Sequence, residues 1–150
     1  MNTKRMTGLL AGLCVVGAMA AVLAAGSVTV TRIQSIPGIE RIDLAWTSSA
    51  GGAVSGNTLT LNGRVLQVKF VPGSGASQPD DLYDVTLVDA AGVDLLTVDG
   101  VSYGANLSNA AASVLSFDAP VAVDGASVVD LQVANAGAAN GGTVSLWVLR

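Results

Sequence analysis

The chain has 150 residues, of which 51% are hydrophobic, 4% aromatic and 12% charged, about half the usual charged share. That length suits one domain with a sizeable core, here built from many small and β-branched contacts rather than a few large anchors. From residue 27 onward five basic residues, Arg32, Arg41, Arg64, Lys69 and Arg150, are scattered among eleven acids, which argues against nucleic acid as a partner because phosphate neutralisation needs clustered cations.

Residues 1–26, "MNTKRMTGLLAGLCVVGAMAAVLAAG", stand apart from everything that follows. Lys4 and Arg5 precede an uncharged run rich in Leu, Val, Ala and Gly, the pattern of a secretory signal. Ala18-Met19-Ala20 and Ala24-Ala25-Gly26 both offer small residues at a cleavage position. The same run approaches the lower limit for a membrane-spanning helix, so a membrane contact, if there is one, is expected through residues 6–26. Cys14 is the only cysteine, which rules out an internal disulfide. Leu13 stands where a lipoprotein signal requires a small residue. Three readings stay open for this segment: signal or anchor, apolar arm ordered in an assembly, or upstream extension.

From Ser27 the period becomes two. "SVTVTRI" puts Val28, Val30 and Arg32 on one face and Thr29, Thr31 and Ile33 on the other. Pro37-Gly38 is a turn pair before "IERIDLAW", which alternates less cleanly. In "NTLTLNGRVLQVKFV", Leu59 and Leu61 alternate with threonines, and Asn62-Gly63 predicts a type I′ hairpin with Val65 to Val71 returning. "LYDVTLVDAAGVDLLTV" predicts a second hairpin about Ala90-Ala91-Gly92. "NLSNAAASVLSF" has room for one helical turn, weakened by its Ser and Asn. "ANAGAANGG" reads as a loop between the strands "SVVDLQV" and "TVSLWVLR". Roughly eight short strands with turn signals every 8–12 residues predict an all-β fold: one antiparallel β-sandwich or jelly-roll-like domain over residues 27–150, behind the N-terminal hydrophobic segment.

Catalytic chemistry lacks its usual groups. The sequence has no histidine, and therefore no imidazole base and no ordinary zinc ligand set. There is no G-x-S-x-G elbow, and "PGSGAS" carries no phosphate-loop lysine. Glu40 and Asp43, three apart on a predicted strand, diverge and make a poor carboxylate pair. The densest candidate is "PDDLYDVTLVDAAGVDLL", with Asp80, Asp81, Asp84, Asp89 and Asp94. Calcium needs six to eight oxygens from a tight loop, and Asp84 and Asp89 point to opposite faces of their strand. The acids read as turn-setters and a solvated rim. No catalytic residue, metal or cofactor is expected.

The aromatics Trp46, Phe70, Tyr83, Tyr103, Phe117 and Trp147 are spread singly, as core or interface anchors are. A low-charge, valine-rich sheet with few gatekeepers is expected to bury its edges against other chains. In the last strand Val144, Leu146 and Val148 share a core face and leave Trp147 on the other. Leu146, Trp147 and Val148 are therefore the expected contact element of a homo-oligomer.

The succession "IDLAWTSSAGGAVSG", "GRVLQVKFVPGSGASQPDDLYDVTLVDAAGVDLL", "GANLSN" and "LQVANAGAANGGTVSLWVLR" resembles small β-structured virion proteins of tailed bacteriophages, over about residues 28–150. "P-x-D-x-Y-D-V-T-L-x-D-x-x-G-V-D" is its most specific part. The resemblance implies a non-enzymatic, capsid-associated role as decoration, cement or fibre. It also implies the virion as location, the major capsid protein as partner, and a trimer as the homo-oligomer. Residues 1–26 are extra to that pattern and favour the alternative, a secreted or membrane-anchored β-sandwich module of a bacterial surface or periplasm.

Overall fold

The computed structural model describes residues 25–150; the expectations for the leader fall on residues 1–24, outside the described residues, and on the two that follow. The body is all-β and antiparallel. Its strands are β1 (Ser27–Ile36), β2 (Ile39–Thr47), β3 (Val54–Pro72), β4 (Asp84–Asp89), β5 (Thr97–Val98), β6 (Val101–Ser102), β7 (Ser113–Ala134) and β8 (Gly141–Leu149). Six of them form one sheet in the order β1-β2-β8-β3-β7-β4, and β5 and β6 form a separate ribbon.

Two strands are long enough to serve two layers. The first half of β3, from Val54 to Leu61, pairs with the second half of β7, and β4 continues that layer beyond β7. The second half, from Arg64, pairs with β8 on one side and with the first half of β7 on the other. The registers slip between Leu61 and Gly63 and again between Val65 and Gln67, where the ribbon turns from one layer into the other. The fold closes when β1 arrives beside the first half of β3 without pairing to it. There Arg32 Nη2 donates to the Thr60 carbonyl at 2.5 Å, and Asn57 Nδ2 donates to Gly26 O at 3.4 Å.

One core fills the space between the layers. Ile42, Leu44 and Trp46 of β2, Val144, Leu146 and Val148 of β8, and Val68 and Phe70 of β3 meet Val85 and Leu87 of β4 and Val129, Leu131 and Val133 of β7. Trp46 and Tyr83 touch across it, ring centroids 5.8 Å apart. At about 25 cal/mol per Å² of apolar surface, such β-branched and leucine burial is the main stabilising term.

Three local expectations are corrected. Asn62-Gly63 is not a hairpin turn: β3 continues through it and bends there. A type I′ turn needs positive φ at both positions, and only Gly63 has it, at 117°. A Cβ on Gly63 would lie 2.1 Å from the Leu149 carbonyl oxygen, so the glycine admits the end of β8 at the bend. The hairpin after Gly92 is also shorter than expected. Beyond the bridge between Val88 and Asp94 the chain leaves β4 and turns into the β5–β6 ribbon. Finally, "NLSNAAASVLSF" holds no helical turn; its second half starts β7. Pro37-Gly38 does turn β1 into β2, with Gly38 at φ 83°.

Candidate interaction surfaces

The aspartates are placed first, since they are the densest polar feature of the sequence. Asp89 Oδ1 accepts from the backbone N–H of Ala91 at 2.9 Å and of Val93 at 2.8 Å, an Asx-type turn that carries the chain around Gly92. Asp94 Oδ1 accepts from Leu87 N and Leu96 N, both at 3.0 Å, while its Oδ2 accepts from Thr97 Oγ1 at 3.0 Å. Asp84 takes Asn106 N on one oxygen and Asn135 Nδ2 on the other, each at 2.8 Å. Asp81 Oδ1 accepts from Asn109 N at 3.2 Å. These carboxylates are spent on tying loops to strands. Among the described residues no group of three or more His, Cys, Asp or Glu side chains is placed to hold a metal ion.

Those same bonds finish one flank of the sheet. β4 is a terminal strand, yet its outer groups are engaged by the segment that follows it. Leu87 N meets Asp94, Leu95 N donates to Leu87 O at 2.8 Å, Val85 N donates to Gly104 O at 2.8 Å, and Leu107 N donates to Tyr83 O at 2.8 Å. Gly104 is required there, because a Cβ would sit 2.0 Å from the Val85 carbonyl oxygen.

The other terminal strand is finished differently. Among the described residues no strand pairs with the outer edge of β1. Val30, Ile33 and Ile36 are 42%, 38% and 56% exposed, and the strand holds no acid and no proline. Its single charge, Arg32, is turned aside: Nη1 lies 3.2 Å from Glu40 Oε2 and Nη2 reaches Thr60 O. Arg150 holds the same Glu40 oxygen through Nε at 2.9 Å and also through Nη2. β1 thus shows exposed Val30, Ile33 and Ile36 with its one charge engaged, beside the first half of β3.

The outer face of the sheet is a third surface. β8 is flanked by β2 and β3, which leaves it no free edge. Of the expected contact element, Leu146 and Val148 are fully buried in the core, and Trp147 lies on the other face. It is half-buried, opposite Arg41 on β2 and Gln67 on β3. In the next row Asp43, Ser145 and Lys69 are neighbours across the same strands. Arg41 Nη2 pairs with Asp43 Oδ2 at 2.8 Å, while Arg41 Nε and Asp43 Oδ1 are buried without partners. Glu40 and Asp43 thus lie on opposite faces of β2, each held by arginine.

An open groove of about 440 Å³ lies at one end of the sandwich, lined by Gly52, Asp80, Asp81, Asn135 and Gly137. The loops around it are fixed by Asp80 N to Ala136 O and Ala136 N to Gly52 O, both 3.0 Å, and by Ser48 Oγ to Gly137 O at 2.6 Å. Asn135, Ala139 and Leu82 adopt positive φ nearby.

The β1 edge was not singled out by the sequence, because "SVTVTRIQSI" reads alike in a terminal and an internal strand. Its paucity of charge was the available signal. Among the described residues no helix is long and apolar enough to cross a membrane. Comparisons with protein-family models, with curated proteins and with solved structures find no match.

Proposed function

We propose that this chain is a non-enzymatic structural protein of a virion, a capsid-associated decoration or cement protein that acts through protein–protein contacts. The observation that carries the reading is the unequal finish of the sheet. One terminal strand is sealed by a dedicated loop and its aspartates, and the other, beside β3 without pairing to it, presents exposed apolar side chains. Exposed apolar side chains of this kind are a liability to a solitary domain and an asset to one that works in an assembly. The sequence pattern around Pro79 to Asp94, similar to small virion proteins of tailed bacteriophages, supplies the kind of assembly, with the major capsid protein as partner. Carboxylates engaged in loop anchoring fit a body whose role lies in shape and stability.

Mass spectrometry of purified particles from the organism that encodes the chain tests this. Peptides of the body at a constant ratio to the major capsid protein are expected. Their absence from complete particles, with the chain found in the periplasmic or surface fraction, would replace the reading with that of a secreted or anchored module.

A further inference from the structure

We infer that Asn62 is a site of spontaneous covalent modification, at which the backbone nitrogen of Gly63 displaces the side-chain amide, whereas the other Asn-Gly pair, Asn140-Gly141, is protected by the fold. The inference stands apart from the assembly reading. Asparagine is thermolabile because the nitrogen of the next residue can attack its side-chain carbonyl carbon. The Gly63 N–H gives its proton to water or hydroxide, the new N–C bond closes a cyclic imide, and the amide leaves as ammonia. Water then opens the imide at either carbonyl. One product is aspartate at position 62. The other is isoaspartate, whose backbone runs through the former side chain and is longer by a carbon atom.

The attack needs an unobstructed nitrogen and an asparagine free to turn. Glycine meets the first need, since no side chain stands over its nitrogen. Asn57, Asn106, Asn109 and Asn135 precede Thr58, Leu107, Ala110 and Ala136, which leaves Asn62 and Asn140 among the described residues. The second need separates these two. Asn62 is exposed, and its amide has no hydrogen-bond partner among the described residues. It also stands outside both ladders of β3. The β3–β7 register slips between Leu61 and Gly63, and the β3–β8 register begins at Arg64, so no opposite residue pins the Asn62 backbone.

Asn140 is pinned at three points. Its Nδ2 donates to Ala136 O at 2.8 Å, its N–H donates to Ser48 Oγ at 3.0 Å, and its carbonyl accepts from Ser48 N at 2.7 Å. Gly141 is wedged as well. A Cβ there would lie 2.7 Å from Trp46 O, and the Gly141 carbonyl accepts from Gly73 N at 2.8 Å. Turning Asn140 onto Gly141 N would break these bonds together.

The place of Asn62 gives its modification a structural consequence. A Cβ on Gly63 would lie 2.1 Å from Leu149 O, so this glycine has no slack against the end of β8. An isoaspartyl link displaces Gly63 by about the length of a carbon–carbon bond. The end of β8 must then yield, and with it the hold of Arg150 on Gly38 O and Glu40. Plain aspartate leaves the backbone path as it was.

The test keeps the full chain folded in warm, mildly alkaline buffer and follows it by peptide mass spectrometry. The Asn62 peptide should gain about 1 Da roughly ten times faster than the Asn140 peptide. In concentrated urea the two should convert at similar rates, because both asparagines precede glycine and the fold no longer distinguishes them. Asn62→Ser should abolish the fast conversion with the circular dichroism unchanged. After chromatographic separation the isoaspartyl form should melt several degrees below the parent, and Asn62→Asp within about 1 °C of it. Equal rates at the two positions in the folded chain, a faster Asn140, or an Asn62 that stays intact while the chain in urea converts overturns the inference. An isoaspartyl form that melts with the parent overturns the consequence drawn for β8.

Discussion

Asp94→Ala should cost the fold about 3 kcal/mol, far more than a surface acid ordinarily contributes. The carboxylate accepts three hydrogen bonds, from Leu87 N, Leu96 N and Thr97 Oγ1. Leu87 and Leu96 are 1% and 0% exposed, so both N–H groups would be orphaned, at about 1.25 kcal/mol each, while Thr97 Oγ1 lies where water replaces the lost oxygen at about 0.5 kcal/mol. The measurement is urea denaturation of the full chain followed by tryptophan fluorescence, which reports on Trp46 packed against Tyr83. With a slope of about 2 kcal/mol per molar, typical for a domain of this size, the midpoint should fall by about 1.5 M. Asp94→Asn keeps one oxygen acceptor and should lose roughly half as much, and Thr97→Ala about 0.5 kcal/mol. An Asp94→Ala midpoint within about 0.3 M of the parent would show that the β4 flank is not closed by this carboxylate.

Gly63→Ala should destabilise by more than about 2 kcal/mol, because the new methyl group would collide with the Leu149 carbonyl at a positive φ; thermal melting checks it, and a shift under about 2 °C would refute the bend as drawn. Leu146→Ala, emptying a fully buried site, should cost about 3 kcal/mol, and Trp147→Ser on the outer face about 1 kcal/mol; equal losses in urea would contradict the assignment of faces. Burial pushes the Tyr83 phenol above its ordinary value of 10.0, so the unfolded chain releases that proton first. Stability from this group is whole below pH 10 and is lost as pH rises from there through the raised value; Tyr83→Phe should flatten that alkaline decline.

Alternation made the inner face of β8 legible: Val144, Leu146 and Val148 are all within the core. It also put Trp147 outside, but could not tell that Arg41 and Gln67 half-cover it, since β2 and β3 are far away in the sequence. Asn62-Gly63 misled for the same reason. Whether that pair turns a hairpin or bends a through-running strand is settled by a carbonyl at Leu149, not by its own neighbours. The aspartates were readable as turn residues because Asx chemistry is local. The use of Asp94 to cap Leu87 was not, because the free edge of β4 exists only once strand order is known. By the same token the terminal place of β1 follows from topology, and topology is the least local property of a sheet.

The position of β8 has a consequence for the order in which the protein can be made. Synthesis delivers β1 and β2 early and β3, β4 and β7 next, yet β8, which emerges after all of these, lies between β2 and β3. Until Gly141–Leu149 leaves the ribosome, the nascent chain is a hairpin and a bent ribbon with a strand-wide gap between them, each exposing an apolar face and an unmatched edge. The nine residues that close the gap carry Val144, Leu146 and Val148, so the sheet and the core are completed in one late event.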